Sequence, residues 1–282
     1  MDMLALIVGS IAVGIIVGML SGMLGVGGGT ILVPVFKLLY GMPAIAATAT
    51  SLFTIIPTSL SGVITHIRNK TCIPLLGVAA GMGGAILSPV GVWLASISPD
   101  WAIMVAAALV IGYSAVTMFQ KALKLRKDDK EPVSLSPSPL PGRSDAKKGD
   151  KLTGSLSCKG RMVGIGFCVG LCAGIVSGYV GVGGGFIMVP MFMQLLGTPM
   201  KMTSGTSLIA VMILAIPGTV AQAMLGNVDW LAGILIAIGT IPGAIIGSRL
   251  MARVSELALR FGFSIFLLVA AALLVLNQLN VF

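Results

Sequence analysis

Apolar runs of membrane-spanning length, separated by short polar breaks, occupy most of the chain. The runs at 3–20, Ala46–Thr65, Ile73–Ser96, Trp101–Phe119, Thr203–Leu225, Leu231–Gly247 and Leu257–Leu276 approach the ~20 residues that cross a hydrocarbon core as a helix. The pattern predicts an all-α polytopic membrane protein. Residues 3–20 have no basic residue before them and no small-residue cleavage site after them. They read as a retained first span rather than a signal peptide. Composition agrees: 56% of residues are apolar, 10% are charged and the mean hydropathy is +1.05, whereas a soluble domain carries about 25% charged residues.

Two glycine-dense interruptions stand out against this background. GMLGVGGGTILVP at 22–34 returns as GYVGVGGGFIMVP at 178–190. An offset of 156 aligns Gly18–Leu52 with Gly174–Leu208 without gaps, and 18 of the 35 positions are identical, Pro34/Pro190 and Thr50-Ser51-Leu52/Thr206-Ser207-Leu208 among them. Beyond residue 52 the match fades, and His66 faces Gln222. The expected organisation is a first membrane repeat at 1–120, a linker at 121–161 and a second membrane repeat at 162–282.

Charge placement orients these halves. The net charge is +9, but 11 of the 18 Lys and Arg lie between Lys121 and Arg161, around the segment SLSPSPLPG at 134–142. That is the composition of a flexible, basic cytoplasmic linker. It suits a phospholipid surface better than nucleic acid. Arg249, Arg253 and Arg260 mark a second inside loop. Both loops fall inside only if the short segments Ile31–Tyr40 and Phe186–Leu196 count as crossings. Each half then crosses five times, about ten in all, and the halves form an inverted repeat. If those segments were re-entrant, there would be eight crossings and the arginine cluster would lie outside, against the positive-inside rule.

Irregular backbone is tolerated at membrane depth only where it is buried in protein or lines a cavity, and paired interruptions in corresponding halves point to a transporter's binding site. Gly27-Gly28-Gly29 and Gly183-Gly184-Gly185 can turn successive N–H groups toward one point, and the helix after each break adds its positive end. Thr30 is the expected N-cap of the first such helix and Gly185 of the second. Ser21, Thr50, Ser51, Ser177, Thr206 and Ser207 are candidate hydroxyl donors to an anion. Two such ends meeting from opposite sides hold an oxyanion without a buried cation, which would cost several kcal/mol. Scattered glycines such as Gly81, Gly83, Gly84, Gly243 and Gly247 read instead as close-packing positions.

His66, the single histidine, and Arg68 form a candidate gate near the end of a span; an interfacial His66 without a mechanistic role is the simpler reading. Cys168 and Cys172, spaced i,i+4, read as small apolar residues at a helix contact. No acidic residue falls in mid-span, so no coupling carboxylate is evident. Outward movement of one negative charge gains ~2.3 kcal/mol per 100 mV, inside negative. The glycine segments are not nucleotide loops, because no strand precedes them and no Lys-Ser/Thr follows. We expect no catalytic residue, metal or cofactor.

The two G-x-G-G-G segments, each followed by Val-Pro at the start of a homologous half, resemble the sulfite exporter TauE/SafE family of membrane permeases, most diagnostically at Gly25–Pro34 and Gly181–Pro190. The resemblance implies a multi-pass secondary transporter of the cell (inner) membrane, working on sulfur-containing anions such as sulfite, sulfonates and sulfoacetate. Export of a small oxyanion is the expected function. An anion channel of the same fold and an ion-coupled importer are the alternatives, and a membrane subunit requiring a partner is a third.

Overall fold

The computed structural model describes residues 3–128, 153–251 and 253–278. These form ten helices and, among the described residues, no strand. The first half carries α1 (Met3–Leu24), α2 (Gly29–Tyr40), α3 (Ala44–Arg68), α4 (Pro74–Ser96) and α5 (Asp100–Asp128). The second carries α6 (Thr153–Val180), α7 (Gly185–Leu195), α8 (Met200–Met224), α9 (Trp230–Met251) and α10 (Glu256–Gln278). The expected linker is thus entered by α5 and left by α6; residues 129–152 lie outside the described ones.

Seven described helices are long and apolar enough to cross a membrane, so the chain is a multi-pass membrane protein. The short segments foreseen after each glycine break are helical, but α2 and α7 have only 12 and 11 residues, roughly 16–18 Å of rise. Helix ends follow local chemistry. Gly41, at φ +62°, stops α2 in a left-handed cap whose N–H bonds the Phe36 carbonyl. Asp100 accepts the Ala44 N–H at 3.0 Å, so the start of α5 caps α3. Asp229 accepts the Ala232 N–H at 3.0 Å and caps α9.

The packing pairs repeat when the halves are exchanged. α1 packs on α9 as α6 packs on α4, α3 on α9 as α8 on α4, while α3·α8 and α5·α10 join equivalent helices of the two halves. Glycines make the two largest seams. On α1, Gly14, Gly18 and Gly22 meet the backbone of α9 at Ile236, Thr240 and Ala244. On α6, Gly170, Gly174 and Gly178 meet α4 at Ala80, Gly84 and Ser88. A glycine every fourth residue lines one helix face and lets backbones touch. Gly83, Gly243 and Gly247 complete these seams, as close packing required.

Candidate functional site

The backbone of each break is set by glycines in the left-handed region. Gly25, Gly27 and Gly28 have φ of +77°, +82° and +84°, and Gly181, Gly183 and Gly184 have +74°, +85° and +68°. An L side chain there costs about 1–2 kcal/mol per residue, which explains the repeated G-x-G-G spacing. Gly25 and Gly181 close the preceding helices, donating to the Ser21 and Ser177 carbonyls at 2.8 Å.

The N-caps are Gly28 and Gly184, not the expected Thr30 and Gly185. The left-handed turn aims the Gly28 carbonyl at Ile31 and Leu32, both bonded at 3.1 Å, and the Gly184 carbonyl at Ile187 and Met188. The amides of Gly28, Gly29 and Thr30 therefore precede the α2 ladder, the orphan positions of any helix start. In the second break, Gly185 N–H turns back to the Gly183 carbonyl at 2.9 Å.

The two breaks lie against one another. A Cβ on Gly29 would sit 2.7 Å from Val182 backbone, and one on Gly185 would sit 2.6 Å from the Gly25 carbonyl oxygen. Ile55 of α3 and Val211 of α8, themselves repeat equivalents, contact Gly27 and Gly183. Residues 24–30 and 180–186 are all buried.

The Thr-Ser pairs divide into two tasks. Ser51 donates to the Gly181 carbonyl at 2.9 Å and Ser207 to the Gly25 carbonyl at 2.7 Å, so each break is tied down by the other half. Thr50 accepts the Asp229 N–H at 3.0 Å, and Thr206 accepts the Ile73 N–H at 2.9 Å while donating to Met202. These threonines anchor the turns before α9 and α4. By contrast, the hydroxyls of Ser21, Thr30 and Ser177 are buried without a hydrogen-bond partner. Ser21 and Ser177 flank the breaks, each Cβ lying 3.5 Å from where Gly28 or Gly184 would carry its own.

His66 is fully buried rather than interfacial. Its Nε2 lies 3.0 Å from the Gly22 carbonyl in the last turn of α1, and its Nδ1 lies 2.8 Å from the Thr71 hydroxyl. A carbonyl only accepts, so Nε2 carries the proton. Gly205 of α8 makes room, since a Cβ there would lie 3.0 Å from the ring. Arg68 is exposed and makes none of these contacts; the candidate gate pair is not one cluster.

Sequence reasoning missed two polar joints. Gln222 accepts from Asn227 at 2.8 Å, repeating His66 and Thr71 at the same offset, which applied to Thr71 finds Asn227. Thr58 bonds Thr240 across α3 and α9 at 2.6 Å. Cys168 and Cys172 are exposed on α6 rather than at a helix contact. Cys72, in the turn between α3 and α4, is partly enclosed; burial pushes its thiol pKa up and keeps it protonated. Among the described residues no group of His, Cys, Asp or Glu is arranged to hold a metal.

The chain is similar to "Probable membrane transporter protein YunE" of Bacillus subtilis (strain 168), 26% identical over 255 residues covering 87% of both chains. "Probable membrane transporter protein YdhB" of the same organism is 27% identical over 235 residues, covering 83% of this chain and 86% of the relative. "Probable membrane transporter protein YjnA", also from that organism, is 24% identical over 271 residues, 94% and 98% of the two chains. No solved structure gives a significant match. The profile described as Sulfite exporter TauE/SafE matches residues 10–274, both glycine breaks included, and the chain belongs to that family.

Proposed function

We propose that the chain is a secondary transporter that exports small sulfur-containing oxyanions, such as sulfite, a sulfonate or sulfoacetate, across the cell membrane. The paired breaks are its anion site. The observation that carries this reading is the buried, unpartnered hydroxyls of Ser21, Ser177 and Thr30 beside amides that lead the α2 and α7 ladders. A buried donor without a partner is costly, and an oxyanion accepts several donors at once. Gly27, Gly28, Gly29, Gly183, Gly184 and Gly185 supply backbone shape. Ser51 and Ser207 position the breaks, and Thr50 and Thr206 anchor the turns before α9 and α4, rather than touch the ligand.

The breaks touch in this arrangement, so binding requires them to part. Backbone contact between buried breaks supports a carrier with an occluded stage over an open channel. The matched packing of the halves and the basic loops support inverted halves, with the linker in the cytoplasm. Export then runs down the membrane potential.

Purified full-length chain in proteoliposomes tests this. The expected result is saturable sulfite or sulfoacetate flux that follows an imposed potential and is lost in Gly28→Ala and Gly184→Ala. Flux indifferent to potential and driven by a proton gradient would overturn the coupling; no flux of any sulfur oxyanion would overturn the substrate class.

A further inference from the structure

A second feature lies on the outer face of the bundle, away from the breaks, and does not depend on which solute is carried. Between the C-terminal halves of α3 and α9 runs an open cavity of about 330 Å³. Leu60, Ile64, Ile241 and Ile245 form its walls and Pro57 its deep end. Ser61 and Thr65 also line it, but their hydroxyls are used on their own helix, donating to the Thr58 and Ser61 carbonyls at 2.8 and 3.3 Å. The depth of the groove therefore offers no unused hydroxyl.

Its mouth is different. Arg68 and Arg249 stand there, and Arg249 also lines an adjoining cavity of about 600 Å³ with Asn69 and Arg253. Among the described residues no carboxylate pairs with these three arginines. Arg68 is the last residue of α3, and Arg249 lies two residues before the end of α9. Both belong at the level where a span meets lipid headgroups. Leu60, Ile64, Ile241, Ile246 and Leu250 are exposed around the groove, as fits a surface that faces acyl chains.

Charge and shape together select the occupant. From Arg68 to Pro57 the groove follows twelve residues of α3, about 16 Å of helix rise. A small soluble anion would pair with the arginines but leave that apolar length uncovered. A zwitterionic lipid would cover it but bring a cation against guanidinium groups. We propose that the α3–α9 groove is a binding site for one anionic phospholipid, its phosphate held by Arg68 and Arg249 and one acyl chain laid along Leu60, Ile64 and Ile245.

The test is native mass spectrometry of the full chain in detergent, titrated with phosphatidylglycerol, with phosphatidylethanolamine of the same acyl chains, and with glycerol 3-phosphate as headgroup alone. One molecule of phosphatidylglycerol should be retained on the order of tenfold better than phosphatidylethanolamine, from attraction at two basic residues. Glycerol 3-phosphate should not compete. Arg68→Gln combined with Arg249→Gln should erase the headgroup preference. Ile245→Trp, which fills the groove and keeps both charges, should lower retention of phosphatidylglycerol on its own. Equal retention of the two lipids, competition by glycerol 3-phosphate, or retention unchanged in both variants would overturn the proposal.

Discussion

At the end of α3, His66 reaches both Thr71 and the Gly22 carbonyl, at 2.8 and 3.0 Å. At the matching end of α8, Gln222 bonds Asn227 at 2.8 Å, and its Nε2 is buried with no partner. A similar divergence separates the helix seams. Thr58 bonds Thr240 at 2.6 Å between α3 and α9, whereas the equivalent Leu214 of α8 packs on Gly84 of α4. The breaks themselves are near copies, in backbone angle and in the serine that ties each one down. The halves are alike at the breaks and at the Thr-Ser pairs that anchor them and the nearby turns, and unlike at these polar joints between helices. Among the described residues, only the first half ties the helix end before its break through a side chain that bridges α3, α1 and the turn beyond. The polar joints therefore make the two halves unequal around an otherwise symmetric centre, which is where a directional device would be built.

The seams test the symmetric part most severely. Gly18→Leu and Gly174→Leu each force a side chain into the backbone of a facing helix, and overpacking that the backbone cannot relieve costs about 3 kcal/mol or more. Both should abolish a monodisperse peak in size-exclusion chromatography of detergent extracts. Gly262→Leu, where a Cβ would meet nothing within 4 Å, should leave it intact. Loss in one seam alone would break the equivalence.

The serine ties come next. Ser51→Ala and Ser207→Ala each remove the donor to a buried break carbonyl, a penalty of about 1–3 kcal/mol. The two variants should lower thermal stability by similar amounts. Unequal losses would mean that one half carries the centre.

The joints sharpen the unlike part. His66→Gln makes the first half resemble the second, and loss of one buried bond costs about 1 kcal/mol. Gln222→His should cost more, because its repeat counterpart His66 needs Gly205 of α8 beside the ring, and the residue equivalent to Gly205 is Ala49 of α3. Adding Ala49→Gly should recover part of that loss. A single thermal-shift series checks all three.

Much of this was legible in residues alone. Length and hydropathy found the spans, because lipid allows few alternatives to a helix of that length. The repeat found both breaks and their serines. The sequence points to Thr30 as a cap, but a capping side chain is only one way to start a helix, and the left-handed Gly28 starts α2 through its carbonyl. The division of labour in Thr50-Ser51 was invisible, since both hydroxyls reach the opposite half, Thr50 at the turn before α9 and Ser51 at the break. That is set by how α3 meets α8 and α9, not by local sequence. His66 looked interfacial from its place along the span, and only Gly205 on a distant helix gives it a buried pocket.

The smallest stability effect expected is also the most informative about function. Ser21→Ala and Ser177→Ala each delete a buried hydroxyl that bonds nothing. Removing an unpaired polar group forfeits no hydrogen bond, so stability should change by less than about 0.5 kcal/mol or rise slightly. If these hydroxyls bond the carried anion, each variant should bind sulfite at least roughly tenfold more weakly, at about 1.5–3 kcal/mol per lost bond to a charged partner. The pair should respond alike, since both flank a break in the same way. Lower thermal stability with unchanged anion affinity would mark Ser21 and Ser177 as packing residues. Weakened affinity in one variant only would show that the anion leans on a single break.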